Sequence, residues 1–489
     1  MMLSSFVEKY RKVVALVTGD IRRYRRASKE IKTAIYSTPL SVMLPLVLYY
    51  LEVLRDPTLL TIISISLGLV TWFRVIDTIT SLQSFRGRLE EELPFFVLEA
   101  AAASRTGLEV VELLGFLTSS KAFQAFKELG RRFWGLSEAF GSSEGLTMLS
   151  RLAGGRVRLF LTEYSASLAS GTALQHLRDR AMDFVKTVAV EVERALGTRT
   201  GMAIMVSMFF SVAPIILISM TTLFTTSIEG GVPEASETPA FIQVLTPAIA
   251  GASALLATVL PGYPLAVHVV VETKVLMTYR AMFALGVGFL TLPPVALSLG
   301  FADLNGFREL TLYSSLVATA LGTAPFAYTL KALTTKIDDV VESMAQHVRV
   351  YRSMHLYKSE RLEELSKRPV KPWLVGYLRE STEFFRSLGD VDPAVFDLFT
   401  MFVMEVQRAM RRVMTHAVFM VAVVLLAPLL STATIGLGAG LGITMEALLI
   451  GYASIMGFGV IAGKIVLGRN TSTLLPGLAV LLYALTLTV

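Results

Sequence analysis

The chain contains no cysteine. A disulfide framework, a thiolate metal site and a cysteine nucleophile are therefore excluded. Only two asparagines occur, Asn305 and Asn470, and scarce Asn beside absent Cys is the composition that hot environments favour. Histidine is scarce too. Of the five, His347 and His355 lie eight residues apart, two helical turns and beyond the i, i+4 spacing of a helical ligand pair, and no H-E-x-x-H is present. No G-x-x-x-x-G-K-[ST] phosphate loop occurs. Gly436, Gly438, Gly440 and Gly442 sit in an apolar turn with no lysine after them, so they suit close helix approach rather than nucleotide binding. Aspartates do not cluster inside apolar stretches, which argues against an intramembrane aspartyl protease. Glu52, Glu446 and Lys464 fall near the ends of such stretches, where long side chains reach the interface. No stretch carries a central charge, the usual mark of an ion path. These absences predict no cofactor, no metal and no nucleic-acid partner.

What the sequence has in abundance is apolar surface: 53% of 489 residues are hydrophobic and the mean hydropathy is +0.60. That excludes an ordinary soluble globule and predicts an all-α polytopic membrane protein. About nine apolar stretches approach the roughly 20 residues needed to cross a bilayer: 38–54, 58–73, 201–225, 240–260, 282–300, 310–330, 414–435, 445–463 and 473–489. Pro293 and Pro294 interrupt the fifth. Basic residues bunch in 1–36, 74–200, 272–281, 331–413 and 464–469, whereas 226–239 has three glutamates and no Lys or Arg. Cytoplasmic loops carry the Lys/Arg excess, which predicts a cell-membrane protein with its N-terminus cytoplasmic and its C-terminus outside. The Asn470-Thr471-Ser472 sequon then faces inward and is unused.

The domain plan follows. Residues 1–36 read as a basic amphipathic helix beside anionic lipids, with no cleavable signal. Residues 38–73 hold two spans, 74–200 a cytoplasmic helical module, 201–330 four spans, 331–413 a second helical module and 414–489 three spans. In the first module Leu89, Leu93, Phe96, Val97 and Ala100 make a helical stripe with Glu90, Glu91 and Glu92 read as opposite it. Helices are expected near 121–140, 146–171, 174–198, 337–350, 354–367 and 374–388, and Pro393 opens another. No alternating apolar pattern predicts a sheet.

One block occurs twice. Glu191-Val192-Glu193-Arg194-Ala195-Leu196 leads into an apolar run reaching Pro214; Glu405-Val406-Gln407-Arg408-Ala409-Met410 leads into one reaching Pro428, at an offset of 214 residues without a gap. This predicts an internal repeat of helical module plus span, with continuous helices over 174–225 and 394–435.

The remaining signal is basic: Arg86 and Arg88, then Lys127, Arg131 and Arg132, then Arg156 and Arg158, then Arg408, Arg411 and Arg412. Solvated faces would look the same, and the last three suit a membrane-proximal position on topology alone. The alternative is docking of an acidic cytoplasmic partner.

With two helical modules each feeding a span, the opening Arg86-Gly87-Arg88-Leu89-Glu90-Glu91-Glu92-Leu93-Pro94-Phe95, the Ser104-Arg105-Thr106-Gly107-Leu108 segment and the repeated Glu-Val-x-Arg-Ala, the chain resembles the archaeal inner-membrane platform proteins of type IV pili and archaella. These are related to the F-domain proteins of bacterial type II secretion. The resemblance covers about residue 38 to the end. It implies a homodimeric platform without enzymatic activity, on which a cytoplasmic hexameric secretion ATPase docks, and which conveys its motion to pilin or archaellin subunits. The ten basic residues above are then candidates for the ATPase contact. A transporter or permease component is the competing reading, disfavoured by the missing central charge. A lipid-modifying membrane enzyme would need converging acids, histidines or metal ligands.

Overall fold

The computed structural model describes residues 85–103, 110–229, 263–298, 300–388, 391–440, 444–469 and 471–486, with isolated positions at 249, 253, 256 and 260. The amphipathic 1–36 helix, the 38–54 and 58–73 spans, nearly all of 240–260 and the Ser104–Leu108 segment lie outside the described residues. The described chain is mostly helical and divides into two compact units, one ending at Ala181 and one beginning at Met182.

The first unit consists of α1 (85–103), α2 (Val110–Leu117), α3 (Gln124–Phe140), α4 (Ser142–Ala153), α5 (Gly155–Ala169) and the start of α6 (Ala173–Glu229). Leu89, Leu93, Phe96, Val97 and Ala100 are buried as their spacing predicts. Phe96 is the hub: its ring stacks on Phe126 at 4.2 Å and meets Phe160 edge-on at 6.2 Å. The helix expected over 146–171 is broken, because Gly154 and Gly155 take positive φ values of 71° and 51°, a conformation other residues resist.

Glu92 is a correction to the stripe. It is not opposite the apolar face but 2% exposed within it. Its carboxylate accepts from the backbone N–H of Ala125 at 3.0 Å and of Phe126 at 2.8 Å. Phe123, which precedes α3, makes no side-chain cap. Glu92 thus satisfies the orphan donors of a helix start from a different helix.

The second unit contains the rest of α6, β1 (Val269–Val271), α7 (Thr273–Ser298), α8 (Leu304–Leu333), α9 (Asp338–Tyr351), α10 (Glu360–Lys367), β2 (Val370–Pro372), α11 (Trp373–Leu388), α12 (Pro393–Gly440), α13 (Thr444–Leu467) and α14 (Leu474–Thr486). Two expectations fail here. The 354–367 helix begins only at Glu360, where the Ser359 side chain accepts from Leu362 N–H. And there is a sheet, if a small one: β1 and β2 pair antiparallel, with Val270 opposite Lys371. Three residues per strand leave no alternation to detect, and the strands are about a hundred residues apart in sequence.

Among the described residues, three helical stretches are long and apolar enough to cross a membrane: Thr273–Leu297, Leu304–Tyr351 and Leu448–Leu467. The second turns at Thr334 before α9, so its apolar part is α8. α7 and α8 point Leu285, Leu292, Val295, Tyr313 and Leu316 outward. α13 is instead enclosed, with Tyr452, Phe458 and Ile461 in a core shared with α14 residues Leu475, Val480 and Tyr483. α14, expected to span as 473–489, has 13 residues, about 20 Å at 1.5 Å per residue. It sits where glycines allow it: a Cβ on Gly322 of α8 would lie 2.0 Å from the Leu474 nitrogen, and one on Gly459 of α13 would lie 2.4 Å from the Pro476 Cα.

Pro293 and Pro294 do not interrupt α7, which continues to Ser298. Pro294 has no N–H for the carbonyl of Leu290. The buried Tyr452 hydroxyl donates to that oxygen at 2.5 Å. Tyr483 donates to the Leu448 carbonyl at 2.9 Å, but that carbonyl has a helical N–H four residues on. Tyr452→Phe should therefore cost about 1–3 kcal/mol, the range for stranding a buried acceptor. Tyr483→Phe should cost clearly less. Unfolding of the two variants in detergent checks the order.

Candidate functional site

The ten basic residues separate into two sites of different character. In the first unit, Arg86, Arg88, Arg131, Arg156 and Arg158 are exposed. The start of α1 draws the scattered patches together. Arg86 lies against Gly154, its guanidinium about 3.2–3.6 Å from where a Cβ would stand. One residue away, Phe85 receives the Arg132 guanidinium over its ring at 5.3 Å. On the next turn, Glu90 accepts from the Arg156 backbone N–H at 3.3 Å. Arg132 also pairs with Glu128 at 3.2 Å, its side chain only 15% exposed. Lys127 donates to the Ser120 carbonyl at 2.8 Å. Arg132 and Lys127 therefore help hold the unit together, while Arg86, Arg88, Arg131, Arg156 and Arg158 stand at its exposed surface. Arg88 also helps its neighbour Glu92 toward the charged form.

In the second unit Arg408, Arg411 and Arg412 each have an in-chain partner. Arg408 pairs with Glu405 one turn back, Arg411 with Asp338 at the start of α9, and Arg412 with Glu193 of α6. Arg349, in the last turn of α9, pairs with Asp397 of α12 at 2.9 Å. The α9 start meets the later α12 residue and the α9 end the earlier one, so the two helices run antiparallel with an ion pair at each end. Between the pairs, Val340, Val341, Met344 and Val348 of α9 are buried, as are Phe399, Phe402, Val403 and Val406 of α12, each set at helical spacing. Exposed ion pairs contribute about 0–1 kcal/mol each; the apolar seam supplies the strength and the pairs set the register.

A second junction lies at β1 and β2. Trp373 donates its N–H to the His268 carbonyl and Glu272 to the Pro369 carbonyl, both at 2.8 Å, extending the short ladder at each end. Tyr263 donates to the Val466 carbonyl at 2.7 Å. Arg469 donates to the Val269 carbonyl and stands 2.8 Å from His268 Nε2. The connection entering α7 and the strand entering α11 are thus joined backbone to backbone, and the Tyr263 and Arg469 side chains tie the end of α13 to that connection.

The two copies of the repeated block lie within the two longest helices, α6 of 57 residues and α12 of 48, and Val192 and Val406, at equivalent places, are both buried. α12 begins as expected at Pro393, where Asp392 accepts from the Ala394 N–H at 3.0 Å. The Glu193–Arg412 pair joins these two helices inside the repeat.

Among the described residues no group of three or more His, Asp or Glu side chains could hold a metal. His347 stands in a ring cluster with Tyr351 and Tyr357, and His355 is exposed. Glu92, Glu193, Asp338, His268 and Arg469 are the participants whose contacts the sequence reading did not anticipate. For Glu92 the signal was there: it is three residues after Leu89 and four before Phe96, hence on the stripe. Compared with family models, curated proteins and solved structures, the chain matches none.

Proposed function

We propose that this chain is the membrane platform of a type IV pilus-like assembly machine, pilus or archaellum. In this reading a cytoplasmic hexameric secretion ATPase docks on its helical modules, and the platform passes the ATPase's motion to pilin subunits. The observation that carries the reading is mechanical. α6 and α12 each run unbroken from a charged, packed segment into an apolar one, Arg412 and Glu193 couple them, and α9 is zipped along the charged part of α12. A helix continued through such a boundary transmits displacement because its backbone bonds leave no soft joint. The architecture of the proposal is a cell-membrane protein of about nine spans, with two cytoplasmic modules in an internal repeat, the N-terminus inside, the C-terminus outside, and two copies to a platform.

The exposed arginines of the first unit are the ATPase contact in this proposal. Arg131→Glu combined with Arg158→Glu should weaken binding of the purified ATPase about tenfold or more, two reversed charges at roughly 1 kcal/mol each. Arg411→Glu, which breaks an in-chain pair, should leave binding nearly unchanged. Surface-immobilised platform in mild detergent gives the comparison. Equal ATPase affinity for wild type and the double variant would return these residues to a solvated face, and failure to recover any ATPase with the tagged platform from native membranes would count against the platform itself.

A further inference from the structure

The end of α13 carries a positive charge that no acid among the described residues pairs with. α13 closes at Leu467 and Gly468 turns the backbone with φ of 74°. The turn admits no side chain, because a Cβ on Gly468 would lie 2.6 Å from the Tyr263 ring. Arg469 follows, part-buried, and among the described residues its guanidinium reaches two partners: the Val269 carbonyl and His268 Nε2. A guanidinium is always protonated and only donates. His268 Nε2 must therefore be the acceptor, with the ring neutral and its proton on Nδ1. Neither partner carries negative charge.

The surroundings add positive charge rather than removing it. Arg280 of α7 stands close enough to oppose the charge on Arg469, and no acid among the described residues offsets it; burial and Arg280 together press Arg469 below the usual guanidinium range. Arg280 is exposed and has no ion-pair partner among the described residues. Lys274 lies in the first turn of α7 and Lys464 in the last turn of α13. Glu272, the acid beside β1, is exposed. A part-buried cation without a counter-charge is unfavourable unless an anion from outside the chain completes the site.

The level in the structure says which anion. Arg280 lies about two turns into α7, just before its uncharged apolar run, and Arg469 lies just past the end of α13; both helices are apolar enough to cross a bilayer, and basic pockets between membrane helices at that level face lipid headgroups. We propose that Arg469, Arg280 and His268 form a binding site for a phosphate group, filled by the headgroup of an anionic lipid. Arg469 supplies a fixed donor, Arg280 a mobile arm at the rim and His268 the neutral acceptor that aims Arg469. A bound headgroup would tie the 263–271 segment and the β1–β2 ladder to the bilayer surface. This assignment needs no ATPase and no filament, so it stands or falls apart from the platform reading.

The test is native mass spectrometry of the full-length protein released from detergent, titrated with phosphatidylglycerol and, separately, with phosphatidylcholine. Wild type should retain phosphatidylglycerol in preference to phosphatidylcholine. Arg280→Gln should weaken that retention about tenfold, the worth of one charge-assisted contact, and leave phosphatidylcholine unchanged. Arg469→Gln should do the same, and the Arg280 variant keeps the result interpretable should loss of the Arg469 clamp loosen the fold. Displacement of the lipid by millimolar inorganic phosphate would keep the site and assign it to a soluble phosphate. Equal phosphatidylglycerol retention by wild type and both variants would overturn the proposal.

Discussion

Glu92→Ala should unlock the start of α3 and lower the stability of the first unit by about 3 kcal/mol. The substitution leaves the Ala125 and Phe126 N–H groups buried without their acceptor, at about 1–3 kcal/mol for each stranded group, and opens a void beside Phe96 and Phe126. The pH dependence has an unusual sign. Burial pushes the Glu92 carboxyl up to about 7 from 4.5, against the backbone donors of Gln124, Ala125 and Phe126, which pull it down. A carboxyl whose value is higher in the folded chain holds its proton more tightly there. Its contribution is therefore full below about 4.5, declines as pH rises through 4.5 to 7, and is lost above. Hydrogen exchange read as protection factors in the first turn of α3 should thus show stronger protection at pH 5 than at pH 8. Glu92→Gln keeps one acceptor and cannot ionise, so it should show intermediate protection and a flat profile. Unchanged protection in Glu92→Ala would mean that α3 starts without this cap.

That residue also shows where the sequence stops being legible. Helical periodicity identified α1, α3, α9, α11 and the Pro393 start of α12, because those helices bury one face and expose another. It failed where a polar residue sits on the buried face. A glutamate counts as exposed unless a donor pair is known to wait for it, and the donors here belong to a helix start more than thirty residues away. The β1–β2 ladder was invisible for a related reason: its bonds join segments about a hundred residues apart. Pro293 and Pro294 misled in the opposite direction, since the donor beside the Leu290 carbonyl comes from Tyr452, on another helix. The basic patches were visible one by one. Which of them hold the chain together and which face outward depended on pairings such as Arg411 with Asp338 and Arg412 with Glu193, and spacing carries no trace of these.

Thr415→Pro should uncouple the proposed machine without dismantling it. Thr415 is an exposed position of α12, just beyond Arg411 and Arg412, which tie the helix to α9 and α6, and just before the apolar run. Proline there removes the hydrogen bond from residue 415 to the Arg411 carbonyl and drives its ring against that oxygen, kinking the helix at about 3 kcal/mol. Everything before residue 411 keeps its packing against α9, and everything after retains its apolar surroundings. What is lost is the stiffness between them. In cells carrying the variant as the sole copy, filament output should fall to background while the ATPase still copurifies with the membrane protein. Thr415→Ala, which keeps the helix straight, should be indistinguishable from wild type, and Thr415→Gly, at about 1 kcal/mol, should give reduced output with full docking. The graded order matters more than any one variant, because general misfolding would lower docking and output together. Filaments at normal density from the proline variant would show that displacement does not travel along α12, and the platform reading would lose the mechanical feature on which it rests.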